Sequence, residues 1–356
     1  MMKAVVLVDK TNMKIQDVAK PSPKTGEVLF WVVYTALDTA FHEVANRTMV
    51  AGSFLHNLKV NPLVAGWHFS GTVESVAEGV GDLKVGDAVY GHLQYCSSTK
   101  QGALADFITV PASECAKIPE GIELDVAAAV ATEALTAIQG IRDKDGLSKG
   151  KSILIIAAGG GVGTQAVQIA KLLKAGTVHA VCSTKDVSNA TKLGADLVID
   201  RTKKEVTKTL SAASYDVIFD TAGKYSLMKM GYAMKKGGTF VSTIPHITEY
   251  PPFSWIIGCV TGKCSKSLMV KCNRQDLELV GEWLKAGGII VPIDSIYKYN
   301  VKDINDARQR QDSGEKPGRV VIKVAETVGS IAVLIPYCCR WIVFIMIIYD
   351  EHEHVT

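Results

Sequence analysis

A glycine-rich turn joins an apolar run to a helical pattern of apolar residues near the middle of the sequence. The run covers residues 153–156, the turn contains Gly160 and Gly163, and apolar side chains recur at helical spacing over residues 162–173. A strand, a tight turn and a helix in this order leave backbone amides and the positive end of the helix dipole facing a ligand, and both attract phosphate. The segment therefore predicts a binding site for the pyrophosphate of a dinucleotide.

The glycine fingerprint of such sites is incomplete in this chain. Read as G-x-G-x-x-G, it places Ala158 where the first glycine is expected. A glycine turn in an α/β domain that binds no ligand is the alternative. We favour the ligand site, and its candidate cofactor-binding residues are Ala158, Gly160, Gly161, Val162 and Gly163.

Apolar runs alternate with helical stretches after the turn. The runs fall at residues 177–182, 196–200, 215–223 and 237–243. Strands that alternate with helices at these spacings form βαβ units, whose strands make a parallel sheet. The predicted fold class is therefore α/β.

The bulk composition restricts the class of protein. A chain of 356 residues is too long for one typical core and suits two domains. Its 39 basic and 36 acidic residues nearly balance, which argues against a nucleic-acid partner. The eight cysteines include no C-x-x-C pair, so we expect free thiols in a reducing, cytoplasmic setting. A strand-like run at residues 3–8 leaves no room for a signal or transit peptide.

The sequence divides into four segments. Residues 1–122 alternate short apolar runs with prolines and glycines, which predicts a β-rich domain. Residues 123–270 carry the βα repeats, and residues 271–326 return to short strands that we expect to pack on the first domain. Residues 327–356 form a hydrophobic extension.

A series of short motifs is ordered along residues 3–324. They lie at residues 62–66, 70–73, 85–90, 102–107, 127–137, 157–168, 193–196, 219–223 and 313–322. Together they resemble the medium-chain dehydrogenase/reductase superfamily, in its zinc-free quinone oxidoreductase branch, which has the enoyl reductase type of domain. The resemblance implies a chaperonin-10-like β-rich domain, a doubly wound Rossmann domain and an active site in the cleft between them. It also implies a cofactor contact at Thr136 and assembly as a homodimer.

The positions that hold zinc in related enzymes carry other residues here. Relatives with zinc place a cysteine near residues 35–37 and Gly-His-Glu at residues 66–68, where this chain has Thr35 to Leu37 and Trp67. An indole cannot ligate zinc, and Cys96 stands alone where a four-cysteine loop is expected. We therefore predict no metal. The alternative is an unrelated metal site among isolated histidines, namely His42, His68 and His92.

Without a metal to polarise a carbonyl, alcohol oxidation is disfavoured, and reduction of an activated acceptor is expected. A quinone or an α,β-unsaturated ketone or aldehyde accepts hydride from an aligned nicotinamide, and water can deliver the proton. A catalytically idle module that binds the cofactor is the alternative, because Thr35 and Ala40 stand where relatives carry an asparagine and a tyrosine. A zinc alcohol dehydrogenase is a third hypothesis.

The first active-site loop of this family gives the candidate catalytic residues. They are Thr35, which can donate one hydrogen bond, Asp38, the acidic residue of the loop, and His68. Phe41 and Trp67 either line the substrate pocket or belong to the core. No proton donor can be named from the sequence.

The second strand of the dinucleotide-binding domain indicates which nicotinamide binds. By resemblance, Ser183 occupies the position where NAD-dependent enzymes carry an acid that binds the ribose hydroxyls. A hydroxyl and the Lys185 ammonium suit a 2′-phosphate, so NADPH is the predicted cofactor, although Lys185 can also be a solvated surface charge. Asp186 argues against NADPH, but the family spacing places it in the following turn.

The hydrophobic extension continues beyond the family pattern. Residues 328–349 are long enough to cross a bilayer as a helix, although Arg340 and Pro336 disfavour it. Membrane contact through a C-terminal anchor is one hypothesis for this segment. An interfacial hairpin or an accessory extension unrelated to the chemistry is the alternative.

Overall fold

Two large sheets with different strand directions organise the chain. The computed structural model describes residues 1–9, 12–46, 51–144, 146–147, 149–244 and 246–326. The predicted membrane contact at residues 328–349 lies outside the described residues.

The first large sheet is mixed and contains seven strands in the order β14-β15-β3-β4-β5-β7, with β6 paired to β3. Its strands are β3 (Glu27–Ala36), β4 (His68–Val76), β5 (Ala88–His92), β6 (Phe107–Pro111), β7 (Cys115–Lys117), β14 (Ile293–Lys298) and β15 (Arg319–Lys323). A separate antiparallel pair is formed by β1 (Met2–Leu7) and β2 (Met13–Val18). The late strand β15 lies antiparallel to β3, with Val321 opposite Ala36. The C-terminal part of the described chain thus completes the N-terminal sheet.

The second large sheet is parallel throughout and contains six strands in the order β10-β9-β8-β11-β12-β13. Its strands are β8 (Ser152–Ile156), β9 (Thr177–Cys182), β10 (Leu197–Asp200), β11 (Tyr215–Asp220), β12 (Met234–Ser242) and β13 (Cys264–Ser267). The order steps outward from β8 in both directions, as in doubly wound folds. The predicted α/β class is confirmed.

Ten α-helices accompany these sheets within the described ranges. They are α1 (Thr39–Ala45), α2 (Ala51–Leu55), α3 (Leu124–Ile138), α4 (Gly161–Leu172), α5 (Val187–Lys192), α6 (Val206–Thr209), α7 (Leu227–Met230), α8 (Phe253–Thr261), α9 (Arg274–Lys285) and α10 (Val301–Asp312). Helix α9 begins at Arg274, because the Asn273 side chain caps it by accepting from the Asp276 amide.

Helix α3 packs between the two large sheets. Its residues from Ala127 to Ile138 are all buried, and it contacts β3, β4 and β5 on one side and α4 on the other. Together with the π-helical turn that follows, it is the one helix in the described ranges that is long and apolar enough to cross a membrane by composition. Because 83% of its apolar window is buried inside the protein, its apolarity is explained by the core.

Residues up to Ala325 form one compact unit. The domain boundaries expected after residues 122 and 270 therefore stay predictions.

The glycine turn lies between β8 and α4, where the sequence predicts it. A Cβ at Gly163 would lie 2.2 Å from the Ala157 carbonyl oxygen, so the approach of α4 to the turn requires glycine there. A Cβ at Gly160 would meet only that same oxygen, at 3.4 Å. The protein itself thus leaves space at Gly160 and none at Gly163.

This difference predicts opposite outcomes for two substitutions. Gly163→Ala should lower the free energy of unfolding by about 1–3 kcal/mol, because the new methyl group overlaps backbone. Gly160→Ser, the matched control, should change it by less than about 0.5 kcal/mol, since serine suits the N-cap of α4. Urea unfolding of both variants measures the effect, and equal losses would contradict this account of the turn.

Candidate active site

A buried arginine lies over the glycine turn. Arg319, the first residue of β15, is only 6% exposed, and its Nη1 would lie 2.7 Å from a Cβ at Gly161. Lys316 lines the same cleft, together with residues 159–161 at the amino end of α4. Two cations and a helix amino end therefore converge where a pyrophosphate would bind.

The second cation of the cleft, Lys316, has a lowered pKa. Its burial, and then the neighbouring charge of Arg319, lower the pKa of the ammonium to about 8. The group is therefore mainly charged at pH 7 and loses its charge above pH 8, so it attracts phosphate most strongly at neutral and acidic pH.

Glu133 of α3 holds the arginine in place. Its Oε1 lies 2.5 Å from Arg319 Nη2, which also donates to the Leu37 carbonyl oxygen at 2.9 Å. Glu133 is 3% exposed. The guanidinium thus joins β15, α3 and the segment after β3 at the edge of the cleft.

Asp38 and His68, two of the predicted catalytic residues, are brought together. His68 Nε2 lies 2.9 Å from Asp38 Oδ2, which also accepts from the Tyr95 hydroxyl. The other oxygen of Asp38 caps α1 by accepting from the Phe41 amide at 3.0 Å. Burial alone would raise the pKa of Asp38, but the hydrogen bonds from His68 and Tyr95 hold it well below its usual range.

Tyr95 and His92 complete this cluster. Burial, followed by the charge of Asp38, raises the pKa of Tyr95 well above its usual value, so the phenol is protonated at neutral pH. The rings of His92 and Tyr95 are 4.6 Å apart. Neither ring nitrogen of His92 has a hydrogen-bond partner among the described residues, and burial lowers its pKa to about 3. His92 is therefore a neutral neighbour of the cluster.

Thr35, Phe41 and Trp67 are directed inward. The Thr35 hydroxyl donates to the His68 carbonyl oxygen at 2.7 Å and is fully buried. Phe41 and Trp67 are 1% and 0% exposed and belong to the core of the mixed sheet. The structure thus agrees with the alternative in which both aromatic residues are part of the core, and it gives the Thr35 hydroxyl a partner within the protein.

The residues predicted for the pyrophosphate all lie on the turn or in the first part of α4, with Gly160 as the N-cap. Thr136 is positioned differently. It is 6% exposed, and its hydroxyl donates to the Thr132 carbonyl oxygen of its own helix at 2.6 Å. The predicted cofactor contact at Thr136 would need this hydrogen bond to open.

Polar side chains follow the end of β9. The Ser183 hydroxyl donates to Asp186 Oδ2 at 2.6 Å, and Lys185 Nζ donates to the Gly314 carbonyl oxygen. A Cβ at Gly159 would lie 2.4 Å from that Asp186 carboxylate. Asp186 lies in the short 3-10 turn Thr184–Asp186 that follows β9, and its carboxylate lies against the glycine turn.

Sequence reasoning did not identify Arg319, Lys316, Glu133 or Tyr95 as site residues. A signal existed for Glu133, which is the only charged residue in the apolar run 126–138. Arg319 lies within a family motif, but its role depends on the return of β15 to β3. Among the described residues, no group of three or more His, Cys, Asp or Glu side chains is arranged to hold a metal ion.

Comparisons with known proteins agree with this architecture. Residues 24–120 match the model of the alcohol dehydrogenase GroES-like domain, and residues 193–322 match that of the zinc-binding dehydrogenase. The chain is 31% identical over 310 residues to a 2-methylene-furan-3-one reductase of Solanum lycopersicum, covering 86% of this chain and 74% of the relative. It is 29% identical over 329 residues to a chloroplastic NADPH-dependent alkenal/one oxidoreductase of Arabidopsis thaliana, covering 90% and 79%.

Solved structures show the same fold. A quinone oxidoreductase from Coxiella burnetii superposes with a TM-score of 0.77 at 22% identity, covering 91% of this chain and 99% of that one. The two domain models match in order on either side of the glycine turn, and the reductase relatives span most of the chain. The chain belongs to the medium-chain dehydrogenase/reductase superfamily, in its quinone oxidoreductase-like branch.

Proposed function

We propose that the chain is a zinc-independent reductase that uses NADPH to transfer hydride to a quinone or an α,β-unsaturated carbonyl compound. The observation that carries the proposal is the pair of cations, Arg319 and Lys316, placed over the amino end of α4 in a narrow cleft. The names of relatives, among them an alkenal/one oxidoreductase and a furanone reductase, support the substrate class.

The residues of the cleft fit a dinucleotide. Arg319 keeps its Nε without a hydrogen-bond partner among the described residues, so it retains donor capacity for a phosphate oxygen. The open space at Gly160 admits a phosphate close to the backbone. When bound, the nicotinamide supplies the hydride, and the protein holds the acceptor in a site that excludes water.

Zinc independence rests on the residues at the family's metal positions. Trp67 replaces the histidine ligand and is fully buried, and Thr35 donates to a backbone carbonyl. Neither side chain can ligate zinc as the relatives' cysteine and histidine do. We expect no stoichiometric zinc on elemental analysis, and the reaction then requires an acceptor that is already electrophilic.

The assignment predicts turnover that depends on the cleft. The wild-type protein should consume NADPH with alkenals or quinones, and Arg319→Gln should raise the Kd for NADPH about tenfold, a loss of roughly 1.4 kcal/mol. Gly160→Ser should also weaken binding, because it fills space that the protein leaves open to the ligand. Fluorescence titration measures Kd, and loss of NADPH absorbance measures turnover.

Arg274→Gln is the matched control, since Arg274 pairs with Asp82 and Glu278. If Arg319→Gln and Gly160→Ser both leave the Kd for NADPH unchanged, neither residue belongs to the cofactor site. Normal NADPH binding without turnover of any acceptor would support the alternative function, in which the chain binds the cofactor but catalyses no reaction. Stoichiometric zinc together with alcohol oxidation would identify a zinc alcohol dehydrogenase.

NADPH is proposed over NADH because Ser183 and Lys185 stand at the end of β9, where the adenosine ribose is held in this fold. Lys185 is exposed and donates to the Gly314 carbonyl oxygen, so its ammonium can turn to a 2′-phosphate. The carboxylate of Asp186 opposes this choice, because it would repel a phosphate.

Two substitutions test the cofactor choice. Lys185→Ala should raise the KM for NADPH severalfold and leave that for NADH nearly unchanged, because only NADPH loses an ion pair. Asp186→Asn should lower the KM for NADPH by removing a repulsive charge. Steady-state kinetics with both cofactors decide. Equal effects of Lys185→Ala on both would show a structural role, and a wild-type preference for NADH would overturn the assignment.

The homodimer and the cytoplasmic setting with membrane contact through residues 328–349 stay predictions. One observation supports the homodimer. Strand β13 pairs only with β12 among the described strands, so this edge of the parallel sheet is open. Helix α8 packs beside it and exposes a group of apolar side chains, namely Phe253, Trp255, Ile256 and Val260. An open edge with an apolar helix is the kind of surface that a second copy covers.

A further inference from the structure

Two buried polar atoms face each other without forming a hydrogen bond. His68 Nδ1 and Glu133 Oε2 are 3.6 Å apart, and neither has a hydrogen-bond partner among the described residues. His68 is 0% exposed and Glu133 is 3% exposed. A buried acceptor and a ring nitrogen left in this way are costly unless a proton joins them.

These two atoms sit in the middle of a continuous chain of polar contacts. At one end, Glu133 Oε1 binds Arg319 over the glycine turn. At the other, His68 Nε2 contacts Asp38, and Asp38 accepts from the Tyr95 hydroxyl. The chain therefore connects the phosphate end of the cleft to Tyr95 through the buried gap.

Tyr95 lies where the two parts of the fold meet. It is half-buried and packs against both the core around α3 and the core of the mixed sheet. Its neighbour Gln94 donates to the Val270 carbonyl oxygen at 3.1 Å and accepts from the Cys272 amide at 3.1 Å, just after β13. Tyr95 thus lies at the junction of these two parts of the fold, where the family resemblance places the active site.

We propose that this chain of residues stores and delivers the proton that the reduction consumes. His68 takes up the proton between Asp38 and Glu133 when the dinucleotide phosphates engage Arg319, and Tyr95 gives it to the product. The inference rests on the proposed reductase function. It assigns Tyr95 as a catalytic residue, and His68, Asp38 and Glu133 as positioning and proton-holding residues.

The charges of the groups around His68 explain why cofactor binding at Arg319 would drive proton uptake at His68. In the structure Arg319 neutralises Glu133, and Lys316 adds a further positive charge to the same cleft. Phosphates that bind Arg319 offset its charge, so the negative charges of Glu133 and Asp38 act more strongly on the buried ring of His68. His92, whose ring is 6.3 Å from that of His68, is buried and neutral and contributes no charge.

The proposed reduction accounts for every proton and for the hydride. Hydride adds to the acceptor and leaves an anion, and the Tyr95 O–H bond breaks as its proton passes to that anion. A proton moves from His68 Nε2 through Asp38 Oδ2 to the Tyr95 oxygen, which restores the phenol and leaves His68 neutral. The net reaction consumes one hydride and one proton per acceptor, and the proton is the one taken up at binding.

Calorimetry of NADPH binding tests the storage of the proton without any turnover. Titrations at pH 6.5 in buffers of different ionisation enthalpy give the number of protons taken up per cofactor bound. At this pH Lys316, with a pKa of about 8, already carries its proton. We expect uptake by the wild type and its loss in Glu133→Gln, which keeps the shape of the side chain and removes its charge.

Glu249→Gln is the matched control, because Glu249 is also buried and accepts from the backbone amides of Leu227 and His246. It should retain the uptake. Any proton taken up by the 2′-phosphate of NADPH is the same in all three titrations. The difference between the variants therefore measures the protons taken up by the protein. Equal uptake by the wild type and Glu133→Gln would overturn the storage site.

Tyr95→Phe tests delivery. This variant should keep the proton uptake on binding and the KM for NADPH, but its kcat with an alkenal should fall about 10²-fold or more. An unchanged kcat would overturn delivery by Tyr95. If the wild type takes up the proton but reduces no acceptor, the proposed function fails while the proton site stands, so the two failures are distinguishable.

Discussion

The buried ion pair between Arg319 and Glu133 is the interaction on which the rest of the site depends. Each group would be costly to bury alone, and removal of one partner of such a pair typically costs about 3–5 kcal/mol. The pair is sustained because Arg319 also donates to the Leu37 carbonyl oxygen. It fixes the last strand of the mixed sheet to the helix shared by both sheets, and it places a cation over the glycine turn.

Helix α3 makes this placement rigid. Its alanine-rich surface lets the strands of the mixed sheet and helix α4 approach closely, and one charged side chain, Glu133, interrupts that surface at the cleft. The carboxylate has one oxygen toward Arg319 and the other toward His68. A single residue in an apolar helix thereby connects the cofactor end of the site with the Asp38 cluster, and this connection is the physical basis of the proposed proton storage.

Local patterns in the sequence predicted much of the fold and part of the site. The parallel sheet and the glycine turn followed from periodicity and spacing. The family resemblance, and not a local pattern, gave Asp38 and His68, which the structure places in contact. What the sequence could not show depends on distant contacts. Arg319 reaches Glu133 only because β15 returns to β3. Family spacing places Asp186 in a turn, but the contact of its carboxylate with Gly159 depends on how the 3-10 turn Thr184–Asp186 folds onto the glycine turn. The Thr35 hydroxyl donates to the His68 backbone carbonyl in the neighbouring strand, a partner that the sequence does not reveal.

The proposed function requires that the cleft transfer hydride to a quinone or to the β carbon of an α,β-unsaturated carbonyl compound. It requires no metal ion to polarise a simple carbonyl group. The most direct measurement is the position of deuterium in the product after reaction of an α,β-unsaturated aldehyde with NADPH deuterated at the nicotinamide C4. The account predicts a saturated aldehyde with deuterium on the carbon β to the carbonyl. Deuterium on the former carbonyl carbon of an allylic alcohol would contradict it, because that product requires polarisation of the carbonyl itself.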